Sequence, residues 1–407
     1  MIKSGSVARN NRMTNKQIFL NVLKYFFSWR ILLFVVAFLS ISLFPEFGAR
    51  FPYTERVLEI THLPYWIWGF GNFDGVHYLR IAQNGYDALY TPAFFPVFPM
   101  LIKLASSVIP KNPLVDTAIY VDPAFFYSGL VLANVFFLLS LYFLYKLFRL
   151  DFSSKVSWAS ILLLLLLPTS FYFGSIYTES LFLLLSVLVF YESRKRNFLL
   201  AGLFCAIASA TRIVGILLAP VILIELYLAV KNKEIEIRSR KFTLSIIGLA
   251  VSVAGLAAYM YYLWKTFGDP IYFISAQPFF GAQRSSTPIL LPQVIYRYFK
   301  IFMSIPPFSL QFFNSMLEFV MTLVPLTLLV IYLKKIRFSY WLFAAMVIVI
   351  PTLSGSFSSM PRYILAAFSF LPIVIVKMGK YGKLAMTLSA ILAIILASLF
   401  IRGYWVA

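Results

Sequence analysis

The residues best equipped for chemistry lie in one polar loop, where an acid, an imidazole and a phenol fall within five positions: Asp74, His77 and Tyr78. Asp74 and His77 are three residues apart, so both side chains share one face of a short helix. A carboxylate there could take a proton from a substrate hydroxyl as a general base. The same spacing also fits a helix start with Asn72 or Asp74 as N-cap, and a lone histidine is more often structural than a ligand. The loop therefore predicts either an acid–base site or a capped helix.

Three further groups of polar residues stand at or inside apolar runs, where charge is costly and indicates a functional site. They are Glu179, Arg212 and the pair Arg362-Tyr363. Glu179 opens an apolar helix, and the positive end of the helix dipole would favour a carboxylate there without any other role. Arg212 needs an anion, which a substrate phosphate or an internal ion pair with Glu179 or Asp74 would supply. Arg362 follows a proline at a helix start, where its charge opposes the dipole, which disfavours a purely structural role.

The composition indicates that these groups belong to a membrane protein. Of 407 residues, 61% are hydrophobic and 12% are charged, and the mean hydropathy is +0.85. Apolar runs of membrane-spanning length, about 20 residues, recur between residues 25 and 400. The runs are continuous rather than alternating, which indicates helices and not a barrel. We therefore predict an all-α, polytopic helical membrane protein. Its single cysteine, Cys205, provides no disulfide framework.

The net charge of +20 comes mostly from short basic clusters between the apolar runs. The positive-inside rule assigns such clusters to cytoplasmic loops, so the charge does not indicate a nucleic-acid partner. On this assignment residues 1–24 form a cytoplasmic basic arm, and residues 25–407 form a single membrane domain. The first external loop spans 45–123 and contains the polar loop, and a second external loop spans 268–310. All the candidate residues then converge on the external face.

The apolar runs predict the membrane helices at about 25–44, 124–148, 156–173, 178–193, 243–267, 311–333, 339–353, 361–377 and 384–402. Residues 94–109 are short and contain prolines, so we predict an amphipathic helix in the membrane interface rather than a span. Residues 198–230 are too long for one span and carry Arg212 at their middle. They predict a hairpin of two half-helices, because irregular backbone at membrane depth must line a cavity or lie within protein. Glu225 and Glu318, inside apolar runs, are expected to be paired or interfacial.

Several segments resemble the signature of the PIG-V family, the second mannosyltransferase of GPI-anchor synthesis and its prokaryotic relatives. They are Phe73 to Tyr86, Phe94-Phe95-Pro96-Val97-Phe98-Pro99, Tyr177 to Phe182, Ala208 to Gly215, Phe267 to Pro270 and Pro361-Arg362-Tyr363. They occur in order between about residues 66 and 372. The family usually carries Trp-Asp where this chain has Phe73-Asp74, a difference that keeps both the aromatic ring and the acid.

The resemblance implies a GT-C fold of about 10–11 membrane helices, with juxtamembrane helices in the long first external loop. It implies transfer of mannose from a polyprenyl-phosphate donor to a glycolipid or glycan acceptor on the non-cytoplasmic face. The location would be the cell membrane of a prokaryote or the endoplasmic reticulum of a eukaryote. GT-C enzymes carry an essential acid in the first external loop, and Asp74 matches it.

The chemistry of such a transfer assigns roles to the candidate residues. Asp74 would take the proton of the acceptor hydroxyl, and Arg212 and Arg362 would stabilise the leaving phosphate. The remaining candidates, which would bind and orient the substrates, are Glu179, His77, Tyr78 and Tyr363. No cofactor is required, and a divalent metal is compatible with the acids but not implied by a monophosphate donor. The alternative is a transporter of an anionic solute or lipid with Arg212 as its ligand, although the internal repeats and paired broken helices of transporters are missing from the sequence. A non-catalytic membrane scaffold is a third interpretation.

Overall fold

The computed structural model describes residues 13–49, 53–280, 284–285, 287–333 and 335–406. The structure is 74% helical, and these residues form no strand. Six helical segments within them are long and apolar enough to cross a membrane, and shorter apolar helices accompany them. The predicted all-α, polytopic membrane fold is therefore confirmed.

The longer helices of the first part of the chain follow the apolar runs. They are α1 (Asn15–Leu43), α2 (Asp74–Asn84), α3 (Val97–Ser106), α4 (Pro123–Phe148), α5 (Ser154–Leu165), α6 (Glu179–Arg194), α7 (Phe198–Ser209) and α8 (Ala219–Lys231). Helix α1 starts ten residues before the apolar run predicted from residue 25, whereas the division there into a cytoplasmic arm and a membrane domain stays a prediction. The helix begins earlier because Thr14 and Gln17 form a capping box, with Gln17 Oε1 accepting from the Thr14 N–H at 2.8 Å. Residues 1–12 of the predicted arm lie outside the described residues.

The later part of the chain departs from prediction in three places, one of which is the helix predicted at 361–377: it begins as the short helix Met360–Tyr363 and a 3-10 segment kinked at Ala367. Its longer helices are α9 (Arg240–Val251), α10 (Ala254–Phe267), α11 (Leu291–Ser304), α12 (Leu310–Tyr332), α13 (Phe338–Thr352), α14 (Leu371–Met378) and α15 (Gly382–Ile401). The single helix predicted at 243–267 is interrupted between α9 and α10. The predicted loop 268–310 contains α11, an amphipathic helix that buries Val294 and Tyr298 and exposes Tyr296 and Phe299.

The stretch 198–230 is built from two helices, α7 and α8, separated by residues 210–212 and a 3-10 turn. Arg212 therefore lies at a break in the helical backbone, where the sequence predicted one. A Cβ at Gly215 would collide with the backbone of Ala208 and Ser209, so only glycine allows the chain to double back this closely. The direction in which this pair crosses a membrane stays a prediction.

The loop that leads into α2 is fastened to residues from the other end of the chain. Asn72 Nδ2 donates to the carbonyls of Phe400 and Ile401, at 2.9 and 3.2 Å. The Gly48 N–H donates to the carbonyl of Arg402 at 2.8 Å. Helix α3, in the region predicted as an interfacial helix, packs on α2 and α4. Its position relative to a membrane surface stays a prediction.

A cluster of charged residues lies at the C-terminal end of α6. At 1.5 Å per residue, this end is about 23 Å from Glu179 at the start of the helix. Glu225 is fully buried, and its oxygens accept from Arg337 at 2.5 and 2.6 Å and from Arg196 at 3.1 Å. Glu318, inside α12, accepts from the Tyr298 hydroxyl at 2.5 Å. Of the two acids expected to be paired or interfacial, Glu225 is ion-paired and Glu318 is hydrogen-bonded to a neutral phenol.

Candidate active site

Asp74 is the first residue of α2, and its carboxylate contacts an arginine rather than the helix backbone. Arg362 Nη1 donates to Asp74 Oδ2 at 2.5 Å. The N-cap position belongs to Phe73, which makes no side-chain cap, and the Asn72 amide is used by the carbonyls of Phe400 and Ile401. The capping alternative for Asn72 and Asp74 is therefore wrong.

The backbone immediately before Asp74 is strained. Phe73 has φ +58°, a region that residues other than glycine rarely adopt and that costs on the order of 1–3 kcal/mol. Its ring packs edge-on against Trp405, with centroids 5.1 Å apart. On the other side, the Tyr177 hydroxyl accepts from the Asp74 N–H at 3.2 Å and donates to the Asn72 carbonyl at 2.8 Å. These contacts hold the strained turn that directs the carboxylate towards Arg362.

Four charged side chains form an alternating chain of acids and arginines, here the ion-pair chain: Asp74, Arg362, Glu179 and Arg212. Arg362 Nε lies 3.2 Å from Glu179 Oε1, and Arg212 Nη1 donates to the same oxygen at 2.5 Å. Glu179 is only 4% exposed and Arg362 only 9%. Arg212 therefore forms the internal ion pair with Glu179 that was considered from the sequence. Glu179 also begins helix α6, as predicted. In so buried a setting these charges interact far more strongly than they would in water.

Two polar atoms of the ion-pair chain are buried without a hydrogen-bond partner among the described residues, Glu179 Oε2 and Arg362 Nε. Both residues line a cavity of about 20 Å³ together with Arg212 and Tyr363. The rest of its wall is apolar and includes Phe173, Phe182, Leu183, Val214, Val347, Leu365 and Ala366. Such a space accommodates on the order of one water and is too small for a sugar. Arg362 Nε still has its ionic contact with Glu179 Oε1, whereas Glu179 Oε2 has no described partner, and the cavity would have to enlarge to admit a sugar.

Aromatic rings hold both arginines of the ion-pair chain. The guanidinium carbon of Arg212 lies 5.7 Å from the centre of the Phe182 ring and 5.4 Å from that of Tyr363. The guanidinium carbon of Arg362 lies 5.6 Å from Tyr363 and 5.6 Å from Tyr172. Cation–π contacts of this kind stabilise a desolvated arginine without neutralising it. Tyr363, predicted to bind substrate, therefore lies between the two cations.

The two ring residues of the polar loop have different surroundings. The Tyr78 hydroxyl lies 3.5 Å from Thr178 Oγ1, which in turn is 3.4 Å from Arg212 Nη1. Burial, followed by the nearby acids, raises the pKa of Tyr78 well above its ordinary value, so the phenol stays neutral. His77 stacks on Phe94, with centroids 4.7 Å apart, and burial lowers its pKa. The structure thus joins Tyr78 to the ion-pair chain and places His77 against the ring of Phe94.

Several residues that support the site were not predicted to do so. Asn72 was considered only as a cap, and Trp405 carries no sequence signal that would associate it with Asp74. Tyr177 and Thr178 lie inside a motif that the sequence had marked, which was the available signal. Within the described ranges, no three His, Cys, Asp or Glu side chains come together to hold a metal.

The fold and the site define a class: polytopic helical membrane proteins with a buried cluster of acids and arginines at one end of the bundle. Both transporters and membrane transferases carry such clusters, because intramembrane charges serve ionic substrates. Comparison with known proteins distinguishes between them.

The chain belongs to the mannosyltransferase (PIG-V) family, whose model matches residues 19–278. The predicted family is thereby confirmed, and its name describes mannosyltransferases. The match includes every predicted site residue except Arg362 and Tyr363.

Curated relatives and solved structures are also similar. GPI mannosyltransferase 2 of Cryptococcus neoformans var. neoformans serotype D, in strains JEC21 and B-3501A, is 32% identical over 145 residues. That stretch spans 35% of this chain and only 34% of the relative. The oligosaccharyltransferase of Archaeoglobus fulgidus in the apo form has a TM-score of 0.47 and 14% identity, over 94% of this chain and 56% of that one. Its complex with an inhibitory peptide and a dolichol-phosphate has a TM-score of 0.40 and 13% identity, over 96% and 56%.

Proposed function

We propose that this protein is an inverting mannosyltransferase that moves mannose from a polyprenyl phosphate to a hydroxyl of a lipid-linked or glycan acceptor. The observation that carries the proposal is the ion-pair chain, which joins a candidate base to two arginines in a buried setting. Family membership and the GPI mannosyltransferase 2 relative support the sugar and the reaction class. A transporter function gains no comparable support, because the family that the chain matches is one of mannosyltransferases.

Asp74 is the proposed base. The acceptor oxygen attacks the anomeric carbon of mannose from the face opposite the phosphate, and Asp74 takes the hydroxyl proton. The bond between that carbon and the phosphate oxygen breaks, and its electron pair stays with the phosphate. The products are a mannosylated acceptor and polyprenyl monophosphate.

The leaving phosphate gains one negative charge, which calls for cations that are already in place. Arg212 and Arg362 supply them, and both lie against the same oxygen of Glu179, Oε1. In this structure both arginines form ion pairs with carboxylates. A donor phosphate that competes for Arg362 would deprive Asp74 of its counter-ion and leave it better able to accept a proton. Donor binding would in this way prepare the base.

The remaining polar groups are assigned to substrate hydroxyls. Glu179 Oε2 has no described partner and is suited to accept a hydrogen bond from a sugar. Tyr78 is a neutral donor beside Thr178, and Tyr363 lies between the arginines. His77, neutral at its lowered pKa, is assigned to the acceptor side. Because arginines already hold both carboxylates, we assign charge stabilisation to the arginines, so the proposed reaction uses neither a divalent metal nor another cofactor.

We place the site on the non-cytoplasmic face, in the cell membrane or the endoplasmic reticulum according to the source. The support is the position of the basic segments: Arg194, Arg196 and Arg337 gather around Asp151 and Glu225 at the end of α6 remote from Glu179. Basic loops favour the cytoplasmic side.

The test is transfer of radiolabelled mannose from polyprenyl-phosphate mannose into a membrane lipid extract. Asp74→Asn should lower the rate by about 10²–10⁴-fold, the range expected for loss of a general base. The matched control is Asp87→Asn, an acid of the same loop that pairs with Arg80 at 3.1 Å in a partly exposed position. It should stay within about threefold of wild type. Equal activity in both variants would contradict the role of Asp74, and a wild type inactive with this donor would contradict the reaction itself.

A further inference from the structure

Arg284, in the second predicted external loop, is an arginine at the site that pairs with no carboxylate in the described part of the chain. Its Nη1 donates to Gln277 Oε1 at 2.8 Å, and its Nη2 donates to Ser359 Oγ at 3.2 Å. Both partners are neutral. Arg212 and Arg362, in contrast, each contact a carboxylate at 2.5 Å. An anion could therefore bind Arg284 without breaking an ion pair.

The position of Arg284 relates it to the ion-pair chain. Ser359 precedes Arg362 by three residues, and its carbonyl accepts from the Arg362 N–H at 3.1 Å. Arg284 also interacts electrostatically with Tyr363, the ring that lies between the other two arginines. The nearby carboxylate outside the ion-pair chain is that of Glu318, which accepts a hydrogen bond from the Tyr298 hydroxyl and interacts with Arg284 electrostatically, without forming an ion pair with it.

The backbone around Arg284 is anchored on the same loop. The Ser285 N–H donates to the carbonyl of Ser354, and the Ile289 N–H donates to that of Leu353, both at 2.8 Å. These bonds, with the hydrogen bond from Arg284 to Ser359, hold the guanidinium beside the turn that carries Arg362. A preorganised cation of this kind is more effective than one that must be recruited from solvent.

We propose that Arg284 is a ligand of the donor phosphate and holds it through to the polyprenyl monophosphate product. This inference rests on the proposed transferase function and names a phosphate ligand beyond Arg212 and Arg362. Arg284 adds a third guanidinium beside the turn that carries Arg362, and its hydrogen-bond partners are neutral. It can therefore bind the phosphodiester, which carries one negative charge, without breaking an ion pair, and it should bind the product more strongly, since bond cleavage leaves the electron pair and a second negative charge on phosphate.

The test measures binding of a short-chain polyprenyl monophosphate to the purified full-length protein in detergent, with the uncharged polyprenol as the paired ligand. Arg284→Gln should weaken binding of the phosphate by about 10- to 100-fold, the loss expected for a charge-assisted hydrogen bond, and leave polyprenol binding unchanged. Arg284→Lys should restore part of the affinity, because a point charge still attracts phosphate. Inorganic phosphate should compete far less well than the lipid phosphate, which identifies the lipid donor as the source of the ligand.

Two control variants test whether Arg284 binds the phosphate or only holds the Arg362 turn in place. Arg297→Gln removes an arginine of α11 that donates to the Gly355 carbonyl at 3.1 Å on the same loop. Ser359→Ala removes the hydrogen-bond partner of Arg284 but no charge. Both should change phosphate binding by less than about threefold. Unchanged phosphate binding in Arg284→Gln would overturn the inference, as would an equal loss in Ser359→Ala, which would make Arg284 an anchor of the Arg362 turn. Phosphate binding that depends on Arg284 in a protein that transfers no mannose would sink the proposed function and leave this subsite standing.

Discussion

The pair Arg212–Glu179 should show a large coupling free energy in a double-mutant cycle. Its atoms are 2.5 Å apart, and the Glu179 side chain is 3% exposed. Removing one partner of a buried ion pair leaves an uncompensated charge and costs about 3–5 kcal/mol, whereas removing both charges costs far less. The cycle therefore measures how much of the ion-pair chain acts as a unit.

The expected magnitudes follow from the contacts that each variant retains. Glu179→Gln leaves Arg212 with Thr178 Oγ1 at 3.4 Å and aromatic faces, so we expect a loss of about 3 kcal/mol in the free energy of unfolding. Arg212→Gln leaves Glu179 beside Arg362 Nε at 3.2 Å, so the loss should be about 2 kcal/mol. The double variant replaces the pair by two neutral amides and should lose about 2 kcal/mol in total, which makes the coupling about 3 kcal/mol.

Equilibrium denaturation of the purified protein in mixed micelles, followed by tryptophan fluorescence, gives the four free energies. The control cycle uses Arg194 and Asp151, whose side chains are 12% and 29% exposed and lie 2.5 Å apart. Its coupling should be about 1 kcal/mol or less, because partly exposed pairs contribute little. If the Arg212 and Glu179 losses add to within about 0.5 kcal/mol, the two charges do not act together and the reasoning is refuted.

Substitutions at three other charged or titratable positions have distinct expected outcomes. Arg362→Lys keeps the charge but loses the planar fork that reaches two carboxylates, so mannose transfer should fall about 10²-fold or more; a wild-type rate would mean that a point charge suffices. Glu225→Gln should lower the free energy of unfolding by about 3 kcal/mol, because Arg337 loses a fully buried carboxylate, while transfer per folded molecule should stay within about twofold. Burial lowers the pKa of His77, so as pH falls the unfolded chain takes up this proton before the folded protein does. Stability should therefore decline below about pH 6.5, and His77→Phe should lack this part of the decline; an unchanged pH dependence in the variant would contradict it.

The membrane helices were predictable because a span requires a long apolar run that soluble loops do not contain. Helix α4, at Pro123–Phe148, matches the run predicted at 124–148 almost residue for residue. The first turns of α1 and the whole of α11 were not predicted, since both are polar enough to be taken for loops by hydropathy alone. The signals available were the capping box at Thr14 and, for α11, apolar residues at helical spacing.

The charged residues of the site were predictable from the cost of placing charge in an apolar run. Their pairing was not, because it depends on how α6, the break after α7 and the turn before α14 approach one another. The sequence left open whether Arg212 met Glu179, Asp74 or a substrate, and only the packing decides. Arg284 was missed because an arginine in a polar loop has the same sequence pattern as a solvated charge.

The support of the Asp74 loop by residues 400–405 has a consequence for biosynthesis. Asn72 and Phe400, which share a hydrogen bond, are 328 residues apart in sequence. The ribosome therefore completes the loop long before it makes the segment that holds it, and Arg362 also comes late. A nascent chain carries the acid without its support or its counter-ion for most of translation. If Asp74 is the base proposed above, a prematurely terminated chain should transfer no mannose, because it lacks both Arg362 and the segment that supports the loop.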